Sequence, residues 1–482
     1  MKDRRTAALI LLSGLVVLSV LACLPYAPQG PFDARNYTRL AQMSVEQHPW
    51  TAMIEPFFAP VLIIAGAPDF LTAAFSVLIW VFVCAGALGS FTEFRLRKRW
   101  SGWIILAAIR SSLIAVSSLM LLLFLLVIAR VPGWRLVVAD PNVIVADLHT
   151  HTVISHDGLV SLRTNLAWHA ACGYDLEAIT EHDNLVAHKL RTETASQAAR
   201  FPAIISGLET HAGPGAMALG ICRKTDVQLG PTADMASFVK KIHRGCAGAV
   251  FILPLKNLTA SGITRLVDDG VDGFEIANCG HPDLRLELRS KLLATCRSKG
   301  LVLLADTDWH GWSGLTRTWN VIRVAGASAL SPSRRAIAVI GKLRAHDAAD
   351  IIPVVAGYMG RPSRLRAVFA PFAETVRYGM ELCFSRVMSW WLWAWAVFAL
   401  WIWLEGKGLS PGDVLPAIFV WITSVCLIFA GIFQSMQGMG TTAFGFHIGL
   451  IAIGAGLIAF GISTFRGMKF LKKAEPAPPR HR

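Results

Sequence analysis

The sequence predicts an α/β domain inserted between two groups of three transmembrane helices, and three observations predict it. The 482-residue chain is 54% hydrophobic and only 16% charged, with a mean hydropathy of +0.50, whereas soluble domains carry about 25% charged residues. Its long uncharged runs fall in two blocks, one towards each end. Between them, over residues 140–360, short apolar runs alternate with amphipathic stretches, and 11 of the 14 histidines gather there. Alternation at this spacing reads as a largely parallel sheet with helices between its strands.

A helix needs about 20 apolar residues to cross the hydrocarbon core. Six runs come near that length: Ala7–Tyr26, Phe70–Phe91, Ser111–Ala129 with an earlier start at Trp103 open, Val387–Leu404, Val414–Gln434 and Thr441–Phe465. Pro56–Pro68 is shorter and interrupted by prolines, so it reads as interfacial or re-entrant. The chain therefore divides into an N-terminal membrane region (1–130), a soluble domain (140–360) and a C-terminal membrane region (387–466). The first run reads as an uncleaved helix; the alternative, a signal sequence with a lipid-modified Cys23, fits poorly because Leu21 lies close before it.

Lys and Arg in short loops are held on the cytoplasmic side. Lys2, Arg4 and Arg5, then Arg95, Arg97, Lys98 and Arg99, then Arg466, Lys469, Lys472 and Lys473 can all lie inside if there are six spans. That places residues 140–360 on the periplasmic or extracellular side of the cytoplasmic membrane. Arg130, Arg135, Arg361, Arg364, Arg366, Arg377 and Arg386 then lie outside, which is tolerated because long domains translocate largely regardless of charge. Trp390, Trp391, Trp393, Trp395, Trp401 and Trp403 have rings near both ends of one run, as interfacial anchors do.

The formal charge of +14 comes from these segments beside the apolar runs, since the middle of the chain is nearly balanced. No basic stripe interleaved with aromatics is present, so no nucleic-acid partner is expected. The nine cysteines show no CxxC or zinc-ribbon spacing, which predicts neither a disulfide framework nor a cysteine metal site.

The chemistry gathers at predicted strand ends. The apolar runs Val143–Ala146, Ala178–Ile179, Ala203–Ile205, Val250–Leu253, Gly273–Ile276 and Leu301–Leu304 mark the strands. The first leads into Asp147-Leu148-His149-Thr150-His151-Thr152, where residues i and i+2 of an extended chain face the same way, so both imidazoles can meet one metal ion. The polar turn Ser155-His156-Asp157-Gly158 can return the Asp157 carboxylate to the same place. The next runs lead into Thr180-Glu181-His182-Asp183 and Gly207-Leu208-Glu209-Thr210-His211, and a late one into Asp306-Thr307-Asp308-Trp309-His310. Four strand ends bearing imidazole or carboxylate amount to a polynuclear site suited to zinc, manganese or iron.

DLHTHTVISHDG followed by AITEHDN resembles the PHP family, named for polymerase and histidinol phosphatase domains, over about residues 140–360. The resemblance implies a distorted (β/α)7 barrel holding two or three divalent metals. It implies His149, His151, Glu209 and Asp308 as ligands of one metal, Asp157, His182 and His310 as ligands of another, and Glu209 as a bridge to a third. The chain departs from the family pattern in three places. Glu181 stands where an Asp is usual and is suited to a supporting role; Leu253-Pro254 stands for a His-Pro step; and an expected histidine falls near Gly215. The third metal position is thereby depleted, leaving two metals expected. His211 could replace one ligand, Lys256 could put an ammonium there instead, and Lys256 and His281 are candidate substrate contacts. His156, His169, His188, His243 and His346 read as surface or supporting residues.

Two neighbouring metals can generate hydroxide from water at neutral pH and hold the charge developing on a phosphoryl oxygen. The expected activity is phosphoester hydrolysis on the outer membrane face by such a metal-bound hydroxide, with a small-molecule or lipid-headgroup phosphoester as substrate. Two other readings stay open: hydrolysis of a carboxylic or carbamic ester or amide by the same metals, and a membrane sensor or scaffold with a degenerate metal site.

Overall fold

The computed structural model describes residues 2–24, 30–66, 70–97, 102–183, 201–211, 216–222, 234–255, 257–279, 286–312, 316–357, 364–438 and 443–474. Helix α1 (Lys2–Cys23) precedes strands β1 (Pro31–Asp33) and β2 (Met43–Gln47), a 3-10 turn (Pro49–Ile54), and helices α2 (Glu55–Gly66), α3 (Phe70–Arg97) and α4 (Gly102–Ala129). The central part runs β3 (Trp134–Val138), β4 (Val143–Thr150), α5 (Leu162–Ala171), β5 (Leu176–His182), β6 (Ala203–His211), β7 (Ala216–Cys222), α6 (Met235–Gly245), β8 (Ala249–Pro254), α7 (Ala260–Asp268) and β9 (Gly273–Asn278). It continues through α8 (Leu286–Lys299), β10 (Val302–Asp306), β11 (Thr318–Arg323), α9 (Pro332–Arg344) and β12 (Ile351–Ala356). Helices α10 (Arg364–Glu381), α11 (Phe384–Gly406), α12 (Pro411–Gly438) and α13 (Ala443–Ala474) follow.

Among the described residues five helices are long and apolar enough to cross a membrane: Ala73–Phe94, Gly102–Ala129, Phe384–Gly406, Val414–Met436 and Gly445–Thr464. They correspond to five of the six expected runs. The sixth, at the N-terminus, is helical, but its described apolar stretch is the shorter Leu11–Cys23 and the helix ends before Tyr26. The run at Pro56–Pro68 is α2, whose 12 residues are too few to cross a bilayer. Its Phe58, Ala59, Val61 and Leu62 pack instead against Tyr378 and Leu382.

The strands form a ten-stranded sheet in the order β1-β12-β11-β4-β5-β6-β7-β8-β9-β10, and β2 pairs with β3 in a separate ribbon. The residues before the second helix thus contribute an edge strand to the main sheet, β1 lying antiparallel to β12. The sheet is mixed, not largely parallel as expected. β4-β5-β6 and β8-β9-β10 are parallel, while β7 runs antiparallel to both β6 and β8. The physical reason is length. Four residues separate His211 from Ala216, and a parallel crossover needs a dozen or more, so the chain can only turn back as a hairpin.

Both faces of the sheet are covered, which is why its strands read as continuous apolar runs rather than alternating ones. On β4, Ile144, Ala146 and Leu148 pack with Val339, Ile340 and Leu343 of α9, while Val145 joins Trp168, Trp309 and Trp319. Phe238 and Ile242 of α6, Ile263 of α7 and Leu292 of α8 cover Val250, Ile252 and Phe274. Side-chain caps start three of these helices: Ser161 accepts from Thr164 N, Asp234 from Ser237 N and Thr259 from Gly262 N.

The sheet curls until β10 returns to β4. Asp308 N donates to His149 O at 2.9 Å, and Leu148 N donates to Asp306 Oδ1 at 2.8 Å. Asn320 fills the seam, accepting from Ala305 N at 2.9 Å and donating to Asp306 Oδ1 at 2.7 Å. This closure brings the ends of β4, β5, β6 and β10 to one place.

Two further features were not foreseen. Cys222 at the end of β7 and Cys246 after α6 form a buried disulfide, although their separation of 24 residues matches no motif. At the base of the helices, Glu55 and Arg386 form a buried ion pair, joined by Tyr378 Oη at 2.8 Å from Glu55 and by Thr51 Oγ1 at 2.9 Å from Arg386.

Removing one partner of a buried ion pair leaves the other charge uncompensated. Arg386→Met should therefore destabilise the protein in detergent by about 3–5 kcal/mol, with Glu55→Gln/Arg386→Met recovering part of the loss. A loss below about 1 kcal/mol for Arg386→Met would show that the pair contributes little.

At the opposite end of the strands from the β4 histidines, Asp272 is held between His243 Nε2 at 2.6 Å and His346 Nε2 at 2.8 Å. The Asp272 hydrogen bond raises the His346 pKa above its ordinary 6.5. A raised histidine pKa contributes stability that is fully present below the unfolded value and is lost as pH rises through the folded value. The melting-temperature gap between wild type and His346→Asn should accordingly be widest near pH 6 and close at higher pH; a gap that widens with rising pH would contradict this.

Candidate metal centre

β4 carries His149 and His151 into the seam, where their Nε2 atoms lie 3.0 Å apart. β6 brings Glu209, whose Oε2 is 3.5 Å from His149 Nε2 and 3.4 Å from His151 Nε2. The loop after β10 brings Asp308, whose Oδ1 is 3.3 Å and 3.4 Å from the same two nitrogens. Asp308 adopts a left-handed backbone with φ of 51°, a conformation that Asp tolerates better than most residues and that recurs at functional sites. All four side chains are buried.

A second group adjoins the first. Asp157 Oδ1 is 3.3 Å from His182 Nε2, Asp157 Oδ2 is 3.4 Å from His310 Nε2, and the two Nε2 atoms are 3.5 Å apart. The His182 ring links the groups, since its Nδ1 is 3.0 Å from Glu209 Oε2.

These groups fit divalent cations. Ligand atoms about 2.0–2.2 Å from one zinc-sized ion in tetrahedral geometry stand roughly 3.3–3.6 Å from one another, close to the spacings found in both groups. Two imidazole Nε2 atoms facing each other at 3.0 Å can share one proton or, when both present lone pairs, one cation. His151 can supply that lone pair: burial and the neighbouring His310 and His149 drive its pKa down to about 3.

The carboxylates call for positive charge. Burial would strip the proton from His149, yet Asp308, Glu275 and Glu209 hold its pKa well above 6.5. Likewise, against its burial, His182 is pushed up to about 10 by Asp157 and Glu209. In return, against burial, the imidazoles hold Asp157, Glu209 and Asp308 below the usual carboxylate range. A bound cation would meet the same demand.

Further buried groups fix the rings. His149 Nδ1 faces Glu275 Oε1 at 2.9 Å, which keeps the proton on Nδ1 and aims the Nε2 lone pair into the centre. His151 Nδ1 is 3.0 Å from Ser155 Oγ, which donates to Glu181 Oε2 at 2.5 Å. Glu181 also accepts from the backbone N of Thr152 at 3.1 Å and of Ser155 at 3.0 Å, so it holds the turn leading to Asp157, the supporting role its position suggested. Within β4, Asp147 accepts from Thr307 N at 3.2 Å and faces His169 Nε2 at 2.9 Å, while His169 Nδ1 is 2.7 Å from Glu177. His169 is thus fully buried, not a surface residue, and despite that burial Glu177 and Asp147 push its pKa up to about 10.

All seven expected ligands, His149, His151, Asp157, His182, Glu209, Asp308 and His310, come together. His156 stands beside Asp157 and His182 with its side chain 79% exposed. His211 ends β6 exposed and in none of these groups. Leu253 is buried on β8, putting no donor where a His-Pro step was sought. Lys256, His281, Gly215 and His188 lie outside the described residues. Sequence reasoning missed Glu275, though one carboxylate inside the apolar run Gly273–Ile276 was a usable signal.

No family model and no curated protein matches the chain. Parts of solved structures are similar to parts of it. A candidate metal-dependent phosphoesterase from Bifidobacterium adolescentis is 17% identical, with a TM-score of 0.30 over 35% of this chain and 88% of that one. An amidohydrolase from Chromobacterium violaceum is 17% identical, with a TM-score of 0.27 over 34% and 87%. PsfC from Pseudomonas syringae is 12% identical, with a TM-score of 0.30 over 48% and 98%.

Carboxylates that orient a ligating histidine typically contribute about 10–100-fold to metal affinity. Glu275→Leu should weaken zinc or manganese binding by that factor in a competition titration, and unchanged affinity would show that His149 is aimed by something else.

Proposed function

We propose that the protein is a metal-dependent phosphoesterase that binds two divalent ions, zinc, manganese or iron, and acts on the outer face of the cytoplasmic membrane. The observation that carries this is the convergence of seven donor side chains into two adjoining groups, each with nearest donor atoms 3.0–3.5 Å apart. His149, His151, Glu209 and Asp308 would hold one ion, and Asp157, His182 and His310 the other. When bound, two such ions acidify a water and stabilise charge on a phosphoryl oxygen.

The protein's own residues then set the substrate preference. Asp157, Glu209 and Asp308 are the only carboxylates among the seven proposed ligands, so two dications are not neutralised by their own ligands. Two such cations favour an anionic phosphoester over a neutral carboxyl ester. Glu275, Ser155 and Glu181 keep the His149 and His151 imidazoles in place, so little reorganisation of these two is needed during the reaction. The Cys222–Cys246 disulfide supports an outer-face location, because disulfides persist in oxidising compartments and are rare in the cytosol. Lys256 and His281 stand as candidate contacts to substrate.

Purified protein offered phosphomonoesters, phosphodiesters and carboxyl esters with zinc or manganese should hydrolyse a phosphoester and contain two metals per chain. His149→Ala, His182→Ala and Asp308→Ala should each lose metal and more than about 100-fold in turnover, beyond the loss typical of supporting residues, whereas Lys256→Ala should keep its metal. Wild-type hydrolysis by Asp308→Ala would remove the two-metal reading, and protein that binds metal yet is inert to every ester would favour a sensor.

A further inference from the structure

The metal groups are tied to the ends of three apolar helices. Arg130 follows the last residue of α4 and is buried, with a left-handed backbone at φ of 51°. Its Nε donates to Gly311 O at 2.8 Å and its Nη2 to Leu159 O at 3.4 Å. Gly311 follows His310, and Leu159 lies two residues after Asp157. The same Nη2 bonds Gln434 Oε1. Gln434 is fully buried near the end of α12, and its Nε2 donates to Leu159 O at 2.9 Å and to Gly445 O near the start of α13 at 3.3 Å. Leu159 N in turn donates to His310 O at 2.8 Å. The C-terminal ends of α4 and α12 and the N-terminal end of α13 therefore meet at the two backbone segments that carry Asp157 and His310.

This fixes the depth of the centre. Gln434 lies within the apolar span Val414–Met436, yet it touches the loop that supplies a candidate ligand. Beyond the roughly 30 Å hydrocarbon core, the polar layer of a bilayer is only about 5–8 Å thick on each side. Consecutive Cα atoms are about 3.8 Å apart, so Asp157 stands within roughly 8 Å along the chain of the Leu159 carbonyl that Gln434 holds. Asp157 and the exposed His156 beside it thus lie at the level of lipid headgroups, a position that a water-soluble substrate would not require.

We infer that the substrate is the phosphoester headgroup of a membrane lipid, taken directly from the bilayer surface. The inference rests on the hydrolase reading above and narrows it from phosphoesters in general to membrane-anchored ones. Arg130 and Gln434 are positioning residues that hold the Asp157 and His310 loops at headgroup depth.

The test uses the full chain in phosphatidylcholine vesicles and has two arms. In the first, phosphatidic acid and phosphatidylglycerol in the vesicles are compared with their water-soluble counterparts glycerol 3-phosphate and glycerophosphoglycerol, with p-nitrophenyl phosphate as a generic phosphoester. The expected result is a kcat/KM at least about 10-fold higher for a vesicle lipid than for its counterpart, with Gln434→Leu lowering hydrolysis of the vesicle lipid by a larger factor than that of p-nitrophenyl phosphate. Equal or better hydrolysis of the soluble counterpart overturns the lipid inference and leaves the hydrolase standing, whereas inertness to all five overturns the hydrolase reading itself. In the second arm, which needs no turnover, a photoreactive phenylalanine analogue replaces His156 or, as control, Arg323, which pairs with Val143 at the far end of β4. Phospholipid adducts at 156 and none at 323 support the placement; adducts at both, or none at 156, overturn it.

Discussion

Three carboxylates and four imidazoles whose nearest donor atoms stand 3.0–3.5 Å apart can share a largely buried space only if positive charge shares it with them. Without a cation, protons on His149, His182 and His310 must supply that charge, and the raised pKa of each records the demand. A divalent ion held by the same side chains would meet it and would displace those protons. Much of the architecture around the strand ends follows from this requirement.

The sheet serves it by curling until β10 meets β4, so that four strand ends separated in sequence deliver their side chains to one place. A layer of buried acids and hydroxyls then sets the His149 and His151 rings: Glu275 behind His149, Ser155 and Glu181 behind His151, and, within β4 itself, Asp147 bound to Thr307 and His169. These groups lie among tightly packed apolar side chains, so each could be kept only with its partner in place. The Arg130 and Gln434 contacts bring the apolar helices into the same assembly, because they hold the loops of Asp157 and His310 from the other side.

Much of the centre was legible because strand geometry is simple. HxH at an extended strand end predicts two imidazoles on one side, and the structure puts their Nε2 atoms 3.0 Å apart. The apolar runs marked the strands but undershot their ends. β6, for example, continues from Ala203 to His211 because backbone pairing with β7 persists after the side chains turn polar. The reversal at β7 was missed because Ala216–Cys222 was not among the runs marked as strands; the four-residue link to β6 betrays the hairpin. Pairings between distant residues were not legible at all. Arg130 and Gln434 are 304 residues apart, and each alone reads as a polar residue at the end of an apolar run. Cys222 and Cys246, buried together by β7 and α6, likewise carry no local signature.

Whether these seven side chains hold two cations is decided by the position of the metal itself, read from anomalous scattering at the absorption edge of the bound ion in crystals of the full chain. One ion is expected about 2.0–2.2 Å from His149 Nε2, His151 Nε2, Glu209 and Asp308, and a second at the same range from Asp157, His182 and His310. Crystals grown with saturating zinc or manganese that show no anomalous peak at these side chains, or one only at exposed His211, would contradict it.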